Sequence, residues 1–181
     1  MTTDETVSGH VVGHLLPGGT PASEASALVR MEQHRSPQAV LELMRLPEAT
    51  PDEAVAVRQV LSLVGHVIDN GIWDELSALV VDDVEVQIGT MRVVGRADVV
   101  AWLTQWSQRP SHHTVNTLVR RDGDGLVALS RLVTIAGDGS VASADAVDRL
   151  AEQGGGWRLV HRDLQPRHPG ATSSAGDDSD V

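Results

Sequence analysis

The sequence predicts an α+β domain in which a curved antiparallel sheet and the helices around it enclose an apolar pocket. Three observations carry that prediction. Helical periodicity dominates the first part of the chain and period-two alternation the later part, the order expected when helices lie against one sheet. Tight turns rich in Asp and Gly separate the later strands, which makes those strands antiparallel neighbours. The 181 residues are 41% hydrophobic, enough for one sizeable core with appendages.

Each element follows from local signals. Residues 1–19 are polar and Gly-rich around a short VVGHLLPGG piece and read as a disordered arm. His10 and His14 have the i, i+4 spacing of a two-histidine metal face, but no acidic or further His ligand accompanies them, so no metal site is assigned. Residues 20–50 read as a helical extension that packs against the domain or a second subunit. Its first helix opens with Pro21 just inside a Thr cap. Its second starts at Ser36-Pro37 and puts Val40, Leu41, Met44 and Leu46 on one side.

The domain itself is expected over 51–165. Thr50-Pro51-Asp52-Glu53 is a strong helix start, a capping residue followed by Pro and two acids. Val57, Val60, Leu61, Val64, Val67 and Ile68 then form one apolar stripe, with His66 turned towards solvent. Asn70-Gly71 supplies the positive φ that ends the helix, which places Asp69 in its last turn. A carboxylate there opposes the helix dipole and does little for the helix, so a functional role is worth considering.

A short helix is expected over 73–80, strands over 84–88 and 91–94, and a helix over 96–108 stopped by Pro110. Long strands follow at 112–120, 126–136 and 141–150, joined by Asp122-Gly123-Asp124-Gly125 and Gly137-Asp138-Gly139. Gly154-Gly155-Gly156 turns the chain into a last strand at 157–164. Residues 166–181 are rich in Pro, Ser and Asp and read as a disordered tail.

Charge and composition exclude several classes. Fourteen Lys and Arg against 25 Asp and Glu give a formal charge of -11, which repels nucleic acid and anionic membrane surfaces. With no cysteine, disulfides and thiolate metal sites are ruled out. The N-terminal residues lack a basic n-region and an apolar h-region, and no run approaches the ~20 apolar residues of a membrane span, so a cytoplasmic protein is expected. The only aromatics are Trp73, Trp102, Trp106 and Trp157, too few for a base-stacking platform. No phosphate loop, nucleotide fingerprint or metal spacing is present, so cofactor-free chemistry is the kind to expect.

The order Val64-x-x-x-x-Asp69-x-Gly71-x-Trp73-Asp74-x-Leu76, then Asp82-Asp83-Val84, Gly95-Arg96, His112-His113-x-x-Asn116 and Gly155-Gly156-Trp157-Arg158-Leu159-x-x-Arg162 resembles the SnoaL-like families of the nuclear-transport-factor-two-like superfamily. The resemblance covers about 51–162. It implies a cone-shaped α+β barrel around an internal cavity, pairing of subunits through the sheet into a homodimer, and a polyketide cyclase, dehydratase or isomerase type of activity. It also implies a dyad in which Asp69 orients His112 and His112 takes a proton from the substrate. Asn116, four residues on along the strand, is expected to point the same way as His112. Val64 stands where catalytic relatives often carry a Tyr proton donor, and Glu152 and Gln153 stand where some place an Arg.

The expected substrate is a hydrophobic cyclic or polyketide-like small molecule, bound with help from Asn116, Val64, Trp73, Trp102 and Arg131. Arg131, Asp145, Asp148, Arg149, Arg158 and Arg162 lie on the later strands, and any that faces inward must be paired or lie near substrate. Alternation puts Asp145 and Asp148 on opposite faces without saying which is inside. The competing readings are that Asp69 caps the short helix beginning near Ile72 and that His112 is a hydrogen-bonded core histidine. On that view the domain is a non-catalytic binding or assembly module.

Overall fold

The computed structural model describes residues 37–106 and 109–167. The arm expected over 1–19, the first helix of the extension and nearly all of the tail lie outside them. The elements in order are α1 (Pro37–Met44), α2 (Pro51–Asn70), a 3₁₀ turn (Trp73–Glu75), α3 (Leu76–Leu79), β1 (Val80–Ile88), β2 (Met91–Val94), α4 (Arg96–Leu103), β3 (Ser111–Asp122), β4 (Gly125–Ile135), β5 (Val141–Gln153) and β6 (Gly156–Pro166).

The strands form one sheet in the order β2-β1-β6-β5-β4-β3, and since β2 and β3 both stay at its edges the curved sheet is not closed. Neighbours are antiparallel except β1 and β6, which run parallel with Val86 opposite Arg162. The curved antiparallel sheet expected is present, with this one parallel pair in it. Turn signals could not reveal this pair, because a whole domain of chain separates the two strands.

α2 begins in a complete capping box, with the Thr50 N–H donating to Glu53 Oε2 at 2.8 Å and the Glu53 N–H to Thr50 Oγ1 at 3.3 Å. Its stripe buries Val57, Leu61, Val64 and Val67 as the spacing predicts, and Val60 and Ile68 pack partly buried beside them. This stripe meets Leu76, Val84, Val99, Leu126, Leu150 and Leu159 in the main core. Polar contacts fix α2 along β3: Arg121 pairs with Glu53, and Arg58 donates to the Thr117 carbonyl at 3.3 Å. Among the described residues no helix is long and apolar enough to cross a membrane.

Several expectations change; among them, the short helix ends at Leu79 and β1 already begins at Val80. α1 buries Leu43 against Val127 and Val147 of the sheet, while Val40, Leu41 and Met44 are exposed; its footing on the sheet is a single leucine with Leu46 beside it. The helix expected over 96–108 ends at Leu103. There the Trp106 N–H reaches back only three residues to the Leu103 carbonyl, at 3.3 Å, and Trp106 leaves the helical period to meet Trp102 edge-on at 4.8 Å. The last strand runs on to Pro166, which was expected in the tail.

Candidate functional site

The C-terminus of α2 sets the geometry. Gly71 takes the left-handed conformation (φ 66°) and its N–H bonds back to the Ile68 and Val67 carbonyls, so the helix stops one residue after Asp69. α2 runs beside β3 at Gly65, where a Cβ would stand 3.5 Å from the His112 carbonyl oxygen and 3.6 Å from its Cβ, ordinary van der Waals contact. Asp69 therefore reaches the start of β3. Its Oδ2 accepts the His112 backbone N–H at 2.9 Å, and its Oδ1 lies 2.5 Å from His112 Nδ1.

One residue thus engages both carboxylate oxygens, which fixes the carboxylate as firmly as the ring. With Oδ1 so close, Nδ1 carries the proton and donates it, which leaves Nε2 as the acceptor nitrogen. Nε2 has no hydrogen-bond partner among the described residues. Ile72, at the start of the 3₁₀ turn, receives no side-chain cap. Asp69 is therefore committed to His112 and does not cap the short helix.

His112 lines a cavity of about 260 Å³, while Asp69 sits behind it, outside the lining. The walls are Val64 and Ile68 of α2, Val84 and Val86 of β1, Trp102 and Trp106, and aliphatic residues of β4 to β6. Polar side chains among the lining are few: His112, Thr134, Ser143 and Arg162, besides the two indoles. Such a lining, apolar with a few polar side chains, has the chemistry of a small-molecule pocket.

Of the residues expected to bind substrate, Val64 and Trp102 line this cavity. Trp73 is half-buried against the core outside the lining, with the Arg109 guanidinium 5.2 Å above its ring. Two expectations are corrected. Asn116 is exposed and does not follow His112 inward. It has φ 55° at a bulge between Val115 and Leu118, where the strand departs from the strict alternation on which a four-residue spacing depends. Arg131 neighbours the cavity-lining Leu132 on β4 and so faces the other side of the sheet, where its Nη2 meets Asp145 Oδ1 at 3.1 Å.

A charged pair inside the cavity wall was visible in the sequence only as two charged strand residues. Asp148, fully buried, and Arg162 are partners across β5 and β6. Arg162 Nε donates to Asp148 Oδ1 at 2.6 Å and Nη2 to Oδ2 at 3.2 Å. On β6, Leu159 lines the cavity, and alternation from it would send His161 inward. The bulge opposite Arg149 and Leu150 reverses that parity, so Arg162 lines the cavity instead. The question left open by alternation is thereby settled: Asp148 is inside and Asp145 outside.

The sequence profile of the SnoaL-like domain matches residues 50–163. Comparison with curated protein sequences gives no match. Among solved structures, an NTF2-like protein with a cystatin-like fold from Novosphingobium aromaticivorans is 20% identical and superposes with a TM-score of 0.59 over 76% of this chain and 94% of that one. Aln2 from a Streptomyces species is 17% identical, with a TM-score of 0.58 over 66% and 93%. A protein of unknown function with a cystatin-like fold from Nostoc punctiforme is 16% identical, with a TM-score of 0.60 over 67% and 96%. At these identities the similarity speaks for the fold.

Proposed function

The chain belongs to the family of SnoaL-like domains, and from that premise we propose that it is a cofactor-independent acid–base enzyme of the cyclase, dehydratase or isomerase type. Its substrate is a hydrophobic cyclic or polyketide-like small molecule held in the cavity. One observation carries the proposal: His112 lines an apolar cavity with Nδ1 tied to Asp69 at 2.5 Å, which leaves Nε2 to accept a proton.

In this reading Nε2 abstracts a proton from bound substrate, and Asp69 holds the tautomer and stabilises the imidazolium that forms. The reaction needs no group beyond the imidazole to move the proton. Native mass spectrometry of the freshly purified protein tests the proposal by identifying a co-purified ligand. That compound should be turned over by the parent and not by His112→Ala. A compound that binds and is returned unchanged by the parent contradicts the enzyme reading.

A second reading, a non-catalytic ligand-binding module, is favoured by Val64. This aliphatic residue lines the cavity where catalytic relatives often carry a phenol. Self-association through the sheet into a homodimer belongs to both readings.

A further inference from the structure

The buried pair of Asp148 and Arg162 points to a second anchor in the cavity. A guanidinium has five N–H donors, and Arg162 gives two of them to Asp148. The other three have no partner among the described residues, although the Arg162 side chain is only 9% exposed and lines the cavity. These donors are open to the cavity, and apart from His112, Thr134 and Ser143 the side chains lining it offer no acceptor, so a bound molecule can supply one.

Charge selects the kind of acceptor. Asp148 neutralises Arg162, and Asp69 already contributes one negative charge behind His112. A carboxylate ligand would add a second uncompensated negative charge to a low-dielectric cavity; a carbonyl oxygen adds none. We propose that Arg162, held by Asp148, is the binding residue for the carbonyl oxygen of a neutral, apolar ketone or ester.

The inference rests on the acid–base reading only for the chemistry after binding. His112 Nε2 takes a proton from the carbon beside the carbonyl. The C–H electron pair becomes a C=C bond as the C=O π pair moves onto oxygen, and the enolate oxygen accepts from Arg162. Return of the proton from the imidazolium to the same carbon restores the ketone and appears as α-proton exchange. In a β,γ-unsaturated ketone or ester, delivery to the γ-carbon instead moves the C=C bond into conjugation, an isomerisation that needs no co-reactant. Arg162 thus supplies the hydrogen-bond donation that Val64 cannot.

Three probes of similar shape test the assignment: α-tetralone, tetralin, which lacks the oxygen, and naphthoate, which carries a charge. Titration calorimetry should show that the full-length protein binds α-tetralone about tenfold or more tighter than tetralin, the factor a hydrogen bond to a charged donor gives, and naphthoate more weakly than α-tetralone. Isotope-edited infrared spectra of the parent complex should show the bound carbonyl stretch lowered relative to apolar solvent. The double variant Arg162→Met/Asp148→Leu strands neither charge and should lose the preference for the ketone while still binding tetralin.

Equal or absent binding of α-tetralone and tetralin, an unshifted carbonyl stretch, or tighter binding of naphthoate would overturn the proposal. Exchange of the ketone's α-protons in heavy water, monitored by NMR and compared with His112→Ala, reports separately on the base. A shifted stretch without exchange keeps the Arg162 assignment and contradicts the enzyme reading, whereas exchange with an unshifted stretch does the reverse.

Discussion

At the scale of single residues, the pair of Asp69 and His112 makes predictions that need no substrate. Asp69 Oδ1 at 2.5 Å from Nδ1 fixes the proton there, so heteronuclear NMR of the imidazole should show Nδ1 protonated and Nε2 bare. Asp69→Asn should leave the fold intact and abolish that tautomer preference; a parent ring protonated on Nε2 would contradict the geometry. Val64→Tyr offers a phenol to the cavity. If lack of a proton donor limits turnover, the variant should be faster than the parent, and an unchanged or lower rate would show that it does not.

His161 titrates for a different reason. Both its ring nitrogens are buried without a hydrogen bond, and Glu85 Oε1 stands 3.9 Å from Nε2, outside bonding range. Burial pushes the imidazole below its ordinary value of 6.5; Glu85, Asp163 and Asp148 pull it back up and Arg149 pushes it further down, without reversing the sign. The folded state then binds fewer protons than the unfolded one. The resulting stability is present in full above 6.5 and is lost as the pH falls from that value towards the lower folded one. Urea unfolding across this window should show a declining midpoint that His161→Leu flattens. An equal slope in both proteins would remove His161 as the cause.

At the scale of elements, the ends of α2 hold its position. Thr50→Ala breaks the capping box and should cost about 1 kcal/mol. Gly71→Ala should cost about as much, because Ala must adopt the left-handed conformation. Its Cβ would also meet Arg109 Nη1 at 2.5 Å, the end of a flexible side chain that can move aside. Chemical denaturation measures both, and an unchanged midpoint in either variant would show that the cap it removes contributes nothing.

These ends were legible in the sequence because they are local. Thr-Pro-Asp-Glu, Asn-Gly and the apolar stripe each depend on residues within a few positions of one another, and so do the hairpin turns. Features that depend on pairing between distant strands were not legible. The bulge at Asn116 turned a residue expected to face the ligand out to solvent. The bulge on β6 exchanged Arg162 for His161 at the cavity wall, and the parallel pairing of β1 with β6 carried no local signal. Asp69 and His112 were legible as partners only through the family resemblance, since 43 positions separate them.

At the scale of the whole molecule, the open sheet and the helices against it form a cavity with an imidazole on β3 and a guanidinium on β6. The predicted homodimer should give a mass near twice 19.3 kDa by light scattering, and a single-chain mass across the micromolar range would contradict it. α1 bears on this prediction, because it covers Val127 and Val147 on the side of the sheet away from the cavity.

The central claim is that Asp69 and His112 act as one catalytic unit on a ligand in that cavity. The most direct test is kcat/KM for the compound identified in the purified protein, measured on the parent, Asp69→Asn, His112→Ala and the double variant. Each single variant should fall by on the order of a thousandfold or more, and the double variant should fall little further than the worse single. Single variants that both stay within about threefold of the parent, a change of under roughly 1 kcal/mol in the barrier, would contradict it.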